Sequence, residues 1–318
     1  MTHAFVQSPL SSHQRYKGLL YGALVADALA LGAHWLYDQN EIARRFGRVA
    51  EFLPPARDDY HPGKLRGAQT HYGDQTLVLL ESLDACDGNF VMEDFAQRWS
   101  WFWRDSKAYR DHATKITLAH LEESFAPPRA GSDSTDLGGA VRIAPLLATL
   151  RNENQPTNIA AAREQTMLTH AAPVTMDAAE FLTRMVFLLM RGESVASALQ
   201  TTAALPSEAL PVEAMLRQAE STHDLPTIEA VAHLGLSCPL EKSFPAVFAI
   251  LLRHGDNIET ALVENVMAGG DSAARGMALG IILGAAHGYR AIPERWIEGL
   301  LARSRVESFL KTMGLGRE

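Results

Sequence analysis

Residues 272–288 read SAARGMALGIILGAAHG, with Gly276, Gly280, Gly284 and Gly288 four apart in an apolar run. At 3.6 residues per turn that spacing puts all four on one helical face, which then carries no side chains. Glycine inside a helix costs roughly 1 kcal/mol relative to alanine, so four in register need a return: the close approach of a second backbone. The same spacing recurs near the N-terminus in Gly18, Gly22, Ala26 and Ala30. Two matching stripes of small residues imply two helices packed face to face at the centre of the fold. In a bilayer such a stripe is a dimer motif, but here Asp27 and Arg275 stand beside it. The two most apolar stretches, 19–36 and 277–286, are broken by Asp27 or too short for a span of ~20 residues. No membrane partner is expected.

Outward from these segments helical periodicity continues, and alternating β-branched runs joined by hairpin turns are absent. Expected helices cover about 14–34, 39–46, 75–87, 92–105, 112–124, 138–150, 158–169, 175–191, 194–203, 207–219, 226–233, 244–254, 257–267, 272–288, 293–302 and 303–313. The expected architecture is all-α: one compact orthogonal multi-helix bundle over residues 13–318, preceded by a flexible tail over 1–12 that lacks the pattern of a secretory signal. With 47% hydrophobic and 21% charged residues, the 318-residue chain has ample material for a core. A formal charge of −8 argues against a nucleic-acid binder, which must neutralise phosphates. Cys86 and Cys238 are too few for a disulfide framework and read as buried thiols in a reducing, cytoplasmic setting.

Two connections are long for a compact domain, and such loops commonly bind something. Residues 54–73, PPARDDYHPGKLRGAQTHYG, carry His61, Lys64, Arg66, His71 and Tyr72; residues 127–139, PPRAGSDSTDLGG, carry Asp133 and Asp136. A solvated surface loop is the alternative for each. Asp74 and Asp271 each precede an apolar run and are placed to cap a helix N-terminus. Asp27 differs: it lies inside a helix so apolar that its carboxylate needs a partner, whether a helix N-terminus, a cation or a metal. His34, two turns further on, is expected on the same face. Trp99, Trp101, Phe102 and Trp103 read as core or interface anchors rather than a base-stacking platform. Arg142 reads as the partner of a buried carboxylate.

The segments GALVADAL (22–29), GDQT (73–76), GGAVRIAP (138–145) and NVMAGGDS (265–272) resemble, in order and spacing, the signature blocks of the ADP-ribosylglycohydrolase family. Thr169-His170 and Ile292-Pro293 extend the likeness, which spans about Tyr16 to Trp296. The resemblance implies an all-α domain whose cleft holds two Mg²⁺ ions that grip the terminal ribose of ADP-ribose. The chain departs from that pattern where the metals would sit. The family's Thr-Asp-Asp-Thr looks like Gly73-Asp74-Gln75-Thr76, and its Gly-Asp-Thr-Asp-Thr looks like Gly270-Asp271-Ser272-Ala273-Ala274. His34 falls where a glutamate is frequent. Of six usual ligands only Asp74 and Asp271 remain as carboxylates, a poor match for two hard cations, so one Mg²⁺ at most is expected, on those two residues. This variant is similar to the branch that contains the jellyfish J-crystallins.

The resemblance therefore implies a hydrolase of a glycosidic bond to ribose in a small-molecule or protein-linked ADP-ribosyl substrate. Asp27, His34, Asp74 and Asp271 are the expected catalytic residues. His71, Tyr72, Gly73, Gln75, Gly138, Gly139, Gly270 and Ser272 are the expected substrate contacts. Two alternatives stand beside it: a nucleotide binder without turnover, holding phosphates through Lys64 and Arg66, and a structural protein like the crystallins.

Overall fold

In the computed structural model, which describes residues 10–56, 60–149 and 155–316, the regular elements are all helices, and no strand occurs among the described residues. In chain order they are α1 (Ser12–Ala30), α2 (Gln39–Phe46), α3 (His71–Ala85), α4 (Met92–Asp105), α5 (His112–Glu122), α6 (Gly138–Val141), α7 (Ala144–Ala148), α8 (Gln155–Met167), α9 (Pro173–Met190), α10 (Val195–Ala203), α11 (Val212–Glu220), α12 (Thr227–Leu234), α13 (Leu240–His254), α14 (Ile258–Ala268), α15 (Ser272–His287), α16 (Glu294–Gly299) and α17 (Arg303–Thr312). Short 3₁₀ turns occur at Pro127–Arg129 and Tyr289–Ala291. None of the helices described is long and apolar enough to cross a membrane.

The glycine stripes do what their spacing demands. A Cβ added to Gly22 would lie inside 3.0 Å of the Gly280 carbonyl, one on Gly280 would strike Gly22 in return, and one on Gly284 would strike Gly18. Further along, Gly276 faces Ala26. The pairing runs in opposite chain directions, so α1 and α15 are antiparallel and touch backbone to backbone. The other helices wrap this pair, and Trp99, Trp103 and Trp296 are fully buried among them. Trp101, by contrast, is 49% exposed, so only part of that aromatic run anchors the core.

Three boundaries differ from the sequence expectation in ways that matter for the site. First, α1 stops at Ala30, and the chain turns through 31–35, so His34 is not on the α1 face that carries Asp27. Second, α3 starts at His71, a turn earlier than expected, with Thr70 as its cap; Asp74 therefore lies within the first turn instead of capping it. Third, the single helix expected over 138–150 is two short ones, broken at Arg142 and Ile143. The tail expected over 1–12 lies outside the described residues as far as residue 9; Ser11 caps α1 by accepting from the Gln14 N–H.

Candidate active site

Asp27 is wholly buried, and the partner it needs is a helix N-terminus. The Thr70 N–H donates to its Oδ2 at 2.7 Å and the Thr70 hydroxyl to its Oδ1 at 2.5 Å. The same hydroxyl accepts from the Tyr72 N–H, so one threonine ties Asp27 to the first turn of α3. Burial raises the Asp27 carboxyl to about 6 against the pull of these hydrogen bonds. With both oxygens engaged by Thr70, Asp27 positions the first turn of α3.

What α3 presents, thus placed, is Tyr72 and His71. The Tyr72 hydroxyl donates to Asp271 Oδ2 at 3.2 Å. Asp271 is buried at the N-terminus of α15, where its Oδ1 caps Ala274. Its backbone is fixed through a hydrogen bond from its N–H to Leu236 O and through Arg275, which donates to Asn265 Oδ1 and to the carbonyls of Gly269 and Leu236. The turn after α1 pairs with the same loop: Trp35 N–H donates to Gly270 O and Gly270 N–H to Leu36 O. That pairing sets His34 Nε2 3.1 Å from Asp271 Oδ1, with His34 Nδ1 2.9 Å from His61 Nε2.

Charge fixes the protons in this chain. Burial lowers the pKa of both His34 and His61, so both imidazoles are neutral at pH 7. A carboxylate only accepts, so His34 Nε2 carries the proton toward Asp271; its Nδ1 then accepts from His61 Nε2–H. Burial works to push Asp271 up, but the His34 hydrogen bond and the Arg275 charge outweigh it and hold the carboxyl below its ordinary range. Burial and the Asp271 charge push the Tyr72 phenol well up, so it remains a donor. His71, fully buried, makes no aligned hydrogen bond and stands 3.4 Å from Asp111 Oδ2.

Over the imidazoles lies a half-exposed aromatic layer. Trp35, Tyr60 and Tyr109 meet edge to face with centroids 4.7, 5.1 and 5.2 Å apart, and Trp35 stacks on His34 at 4.3 Å. Trp35 has φ 60°, a left-handed backbone that a bulky side chain adopts only under constraint and that clusters at functional sites. Asp136, half-buried in the loop before α6, lies near enough to Asp271 and Asp111 to feel their charge.

The sequence profile described as ADP-ribosylglycohydrolase matches residues 8–317. The chain belongs to the ADP-ribosylglycohydrolase family. Its fold is similar to that of a solved chain described as an ADP-ribosylglycohydrolase-related protein complex, at a TM-score of 0.75 and 24% identity over 96% of this chain and 98% of that one. An uncharacterised protein of Archaeoglobus fulgidus is 28% identical over 92% of this chain and 94% of its own length. Crystallin J1A of Tripedalia cystophora is 23% identical over 89% and 91%.

Within an ADP-ribosylglycohydrolase fold, the two residues expected to share an ion do not meet. Asp74 points to the far side of α3, where Lys64 Nζ sits 2.5 Å from its Oδ2, and it lines a surface cleft of about 560 Å³ with Trp101 and Arg305 that does not include Asp271. Gln75, the expected amide ligand, turns inward: its Oε1 accepts from Trp99 Nε1 at 2.8 Å and from Arg142 at 3.0 Å. Among the described residues no three His, Cys, Asp or Glu side chains converge on one point. A carboxylate matched to a lysine, an amide spent on an arginine and a carboxylate saturated by Tyr72 and His34 form a donor set that does not fit magnesium.

Several expected substrate contacts serve packing. A Cβ on Gly73 would strike Asp27, one on Gly138 the Tyr72 ring, one on Gly139 the His170 ring, and one on Gly270 the Leu236 carbonyl. Ser272 is buried with its hydroxyl unpartnered. Arg142 pairs not with a carboxylate but with Gln75, Gln165 and Thr169. Cys86 and Cys238 are free but only part-buried. Arg66 is exposed. Trp35, Tyr109 and Asp111, which the sequence did not single out, join the site; His61 and Asp136 were visible only as polar residues of long loops.

Proposed function

We propose that this protein hydrolyses a glycosidic bond to ribose in an ADP-ribosyl or related substrate, at Asp271 and without a divalent ion. One observation carries the reading: a carboxylate held ionised inside the fold, gripped by Tyr72 and His34 at a helix N-terminus and backed by a second imidazole, His61. Cleavage of a ribosyl bond passes through an oxocarbenium-like state that needs fixed negative charge on one side and a base for the attacking water. Asp271 supplies both. Its Oδ1 accepts from His34 and the Ala274 N–H and its Oδ2 from Tyr72, so the attacking water reaches it by replacing one of these donors, and the neutral His34–His61 pair holds the carboxylate in orientation. His71, with ring nitrogens free of aligned partners, faces the same space beneath Trp35 and Tyr109.

The test is release of ADP-ribose from N-linked and O-linked ADP-ribosylated proteins. The wild type turns over at least one of them, and Asp271→Asn lowers the rate by about 10²–10⁴-fold, the usual weight of a general base, while ADP-ribose binding survives. The complete burial of Asp271 and the likeness to crystallin J1A favour a second reading, a structural role, which predicts neither binding nor release. Binding with no release would mark a pocket kept for ligand alone.

A further inference from the structure

We propose that Asp136 is the proton donor to the leaving group, working across the substrate from Asp271. The assignment rests on the hydrolase reading above and extends it to the half of the reaction that Asp271 cannot perform. Its geometry is set by backbone. Leu137 N–H donates to Cys238 O at 3.1 Å and Leu240 N–H to Thr135 O at 2.9 Å, which pins residue 136 beside Pro239. The same 236–240 segment holds Asp271 through Leu236 O. Two carboxylates from distant parts of the chain are thus mounted on one short strip of backbone. They differ in exposure: Asp271 is fully buried, whereas Asp136 is half-buried.

Asp136 is hydrogen-bonded to Ser134 and feels the charges of Asp271, Asp111 and His112, with Tyr72 and Cys238 near enough to interact with it. No cation pairs with it among the described residues. Burial first, and then the negative charges of Asp271 and Asp111, raise its carboxyl to about 6, while Asp271 is held low. Two carboxyls pushed apart in this way divide into acid and base. In the reaction, the bond from ribose C1 to the leaving heteroatom breaks with its electron pair on that atom, which takes the Asp136 proton. Water adds to C1 and gives its proton to Asp271, and exchange with solvent returns both carboxyls to their starting states.

Leaving-group dependence separates this role from a structural one. An alkoxide must be protonated to depart, whereas p-nitrophenolate needs little help, so serine-linked and p-nitrophenyl ADP-ribosides of one anomer are compared. In Asp136→Asn the ratio of the nitrophenyl to the serine-linked rate rises by about 10²-fold or more, and the fall of wild-type rate above pH 6 disappears. Equal losses on both substrates, or none on either, would overturn the assignment while leaving the Asp271 reading intact, provided the wild type is active. A wild type inert to both would overturn the hydrolase reading and this assignment with it. Retained ADP-ribose binding by the variant shows that it is folded.

Discussion

Asp27 shows how a single buried charge organises the site without facing it. Its carboxyl titrates at about 6 in the fold against 3.8 when unfolded. A raised folded value means that the stabilisation is complete below the unfolded pKa and is lost as pH rises through the folded one. At ~1.4 kcal/mol per pH unit, the stability of wild type relative to Asp27→Asn falls by about 2 kcal/mol from pH 4 to pH 7, measured by urea unfolding across that range. A flat difference would mean that Asp27 titrates normally. The need for a partner was legible from Leu24, Val25, Ala28 and Leu29 around it. The identity of the partner was not, because Thr70 lies 43 residues away and nothing local to either residue names the other. The same holds for Tyr72 and His34, which reach Asp271 from 199 and 237 residues off.

Among the elements, α1 and α15 were the most readable, since a four-residue glycine spacing has one economical explanation and the structure provides it. The prediction at this scale is a ranking. Gly280→Ala places a methyl inside 3.0 Å of three atoms of the α1 backbone, Gly22 O, Gly22 C and Ala23 N, which cannot give way. It should cost about 3 kcal/mol or more in denaturant unfolding, at or beyond the usual range for overpacking. Gly276→Ala meets the Asn265 amide at 3.0 Å and Ala26 at 3.4 Å, so it should cost less than about 1 kcal/mol, helped by the better helix propensity of alanine. Equal effects would contradict the backbone contact. α3 was read less well. Asp is a strong N-cap by local preference, which put the start beside Asp74, but Asp27 fixes the Thr70 backbone and hydroxyl and starts the helix one turn sooner. In the helix so started Asp74 meets Lys64, Gln75 meets Arg142, and Tyr72 reaches Asp271.

For the whole molecule, periodicity alone carried the all-α class, and four separated blocks carried the family. What they did not carry was the content of the cleft. Lost carboxylates were visible at His34, Gln75 and Ala273; that a phenol and an imidazole backed by His61 hold Asp271 was not, because Trp35, His61, Tyr72 and Asp111 come together only in the folded chain. The resulting centre is a polar network in which hydrogen bonds and a lysine take up the groups that an ion would need. The most direct test is the rate of ADP-ribose release by metal-stripped protein, measured in chelator and again with added Mg²⁺. The same rate is expected in both, lost in Asp271→Asn. A rate that appears only with Mg²⁺ would contradict it and return Asp271 to the role of a metal ligand.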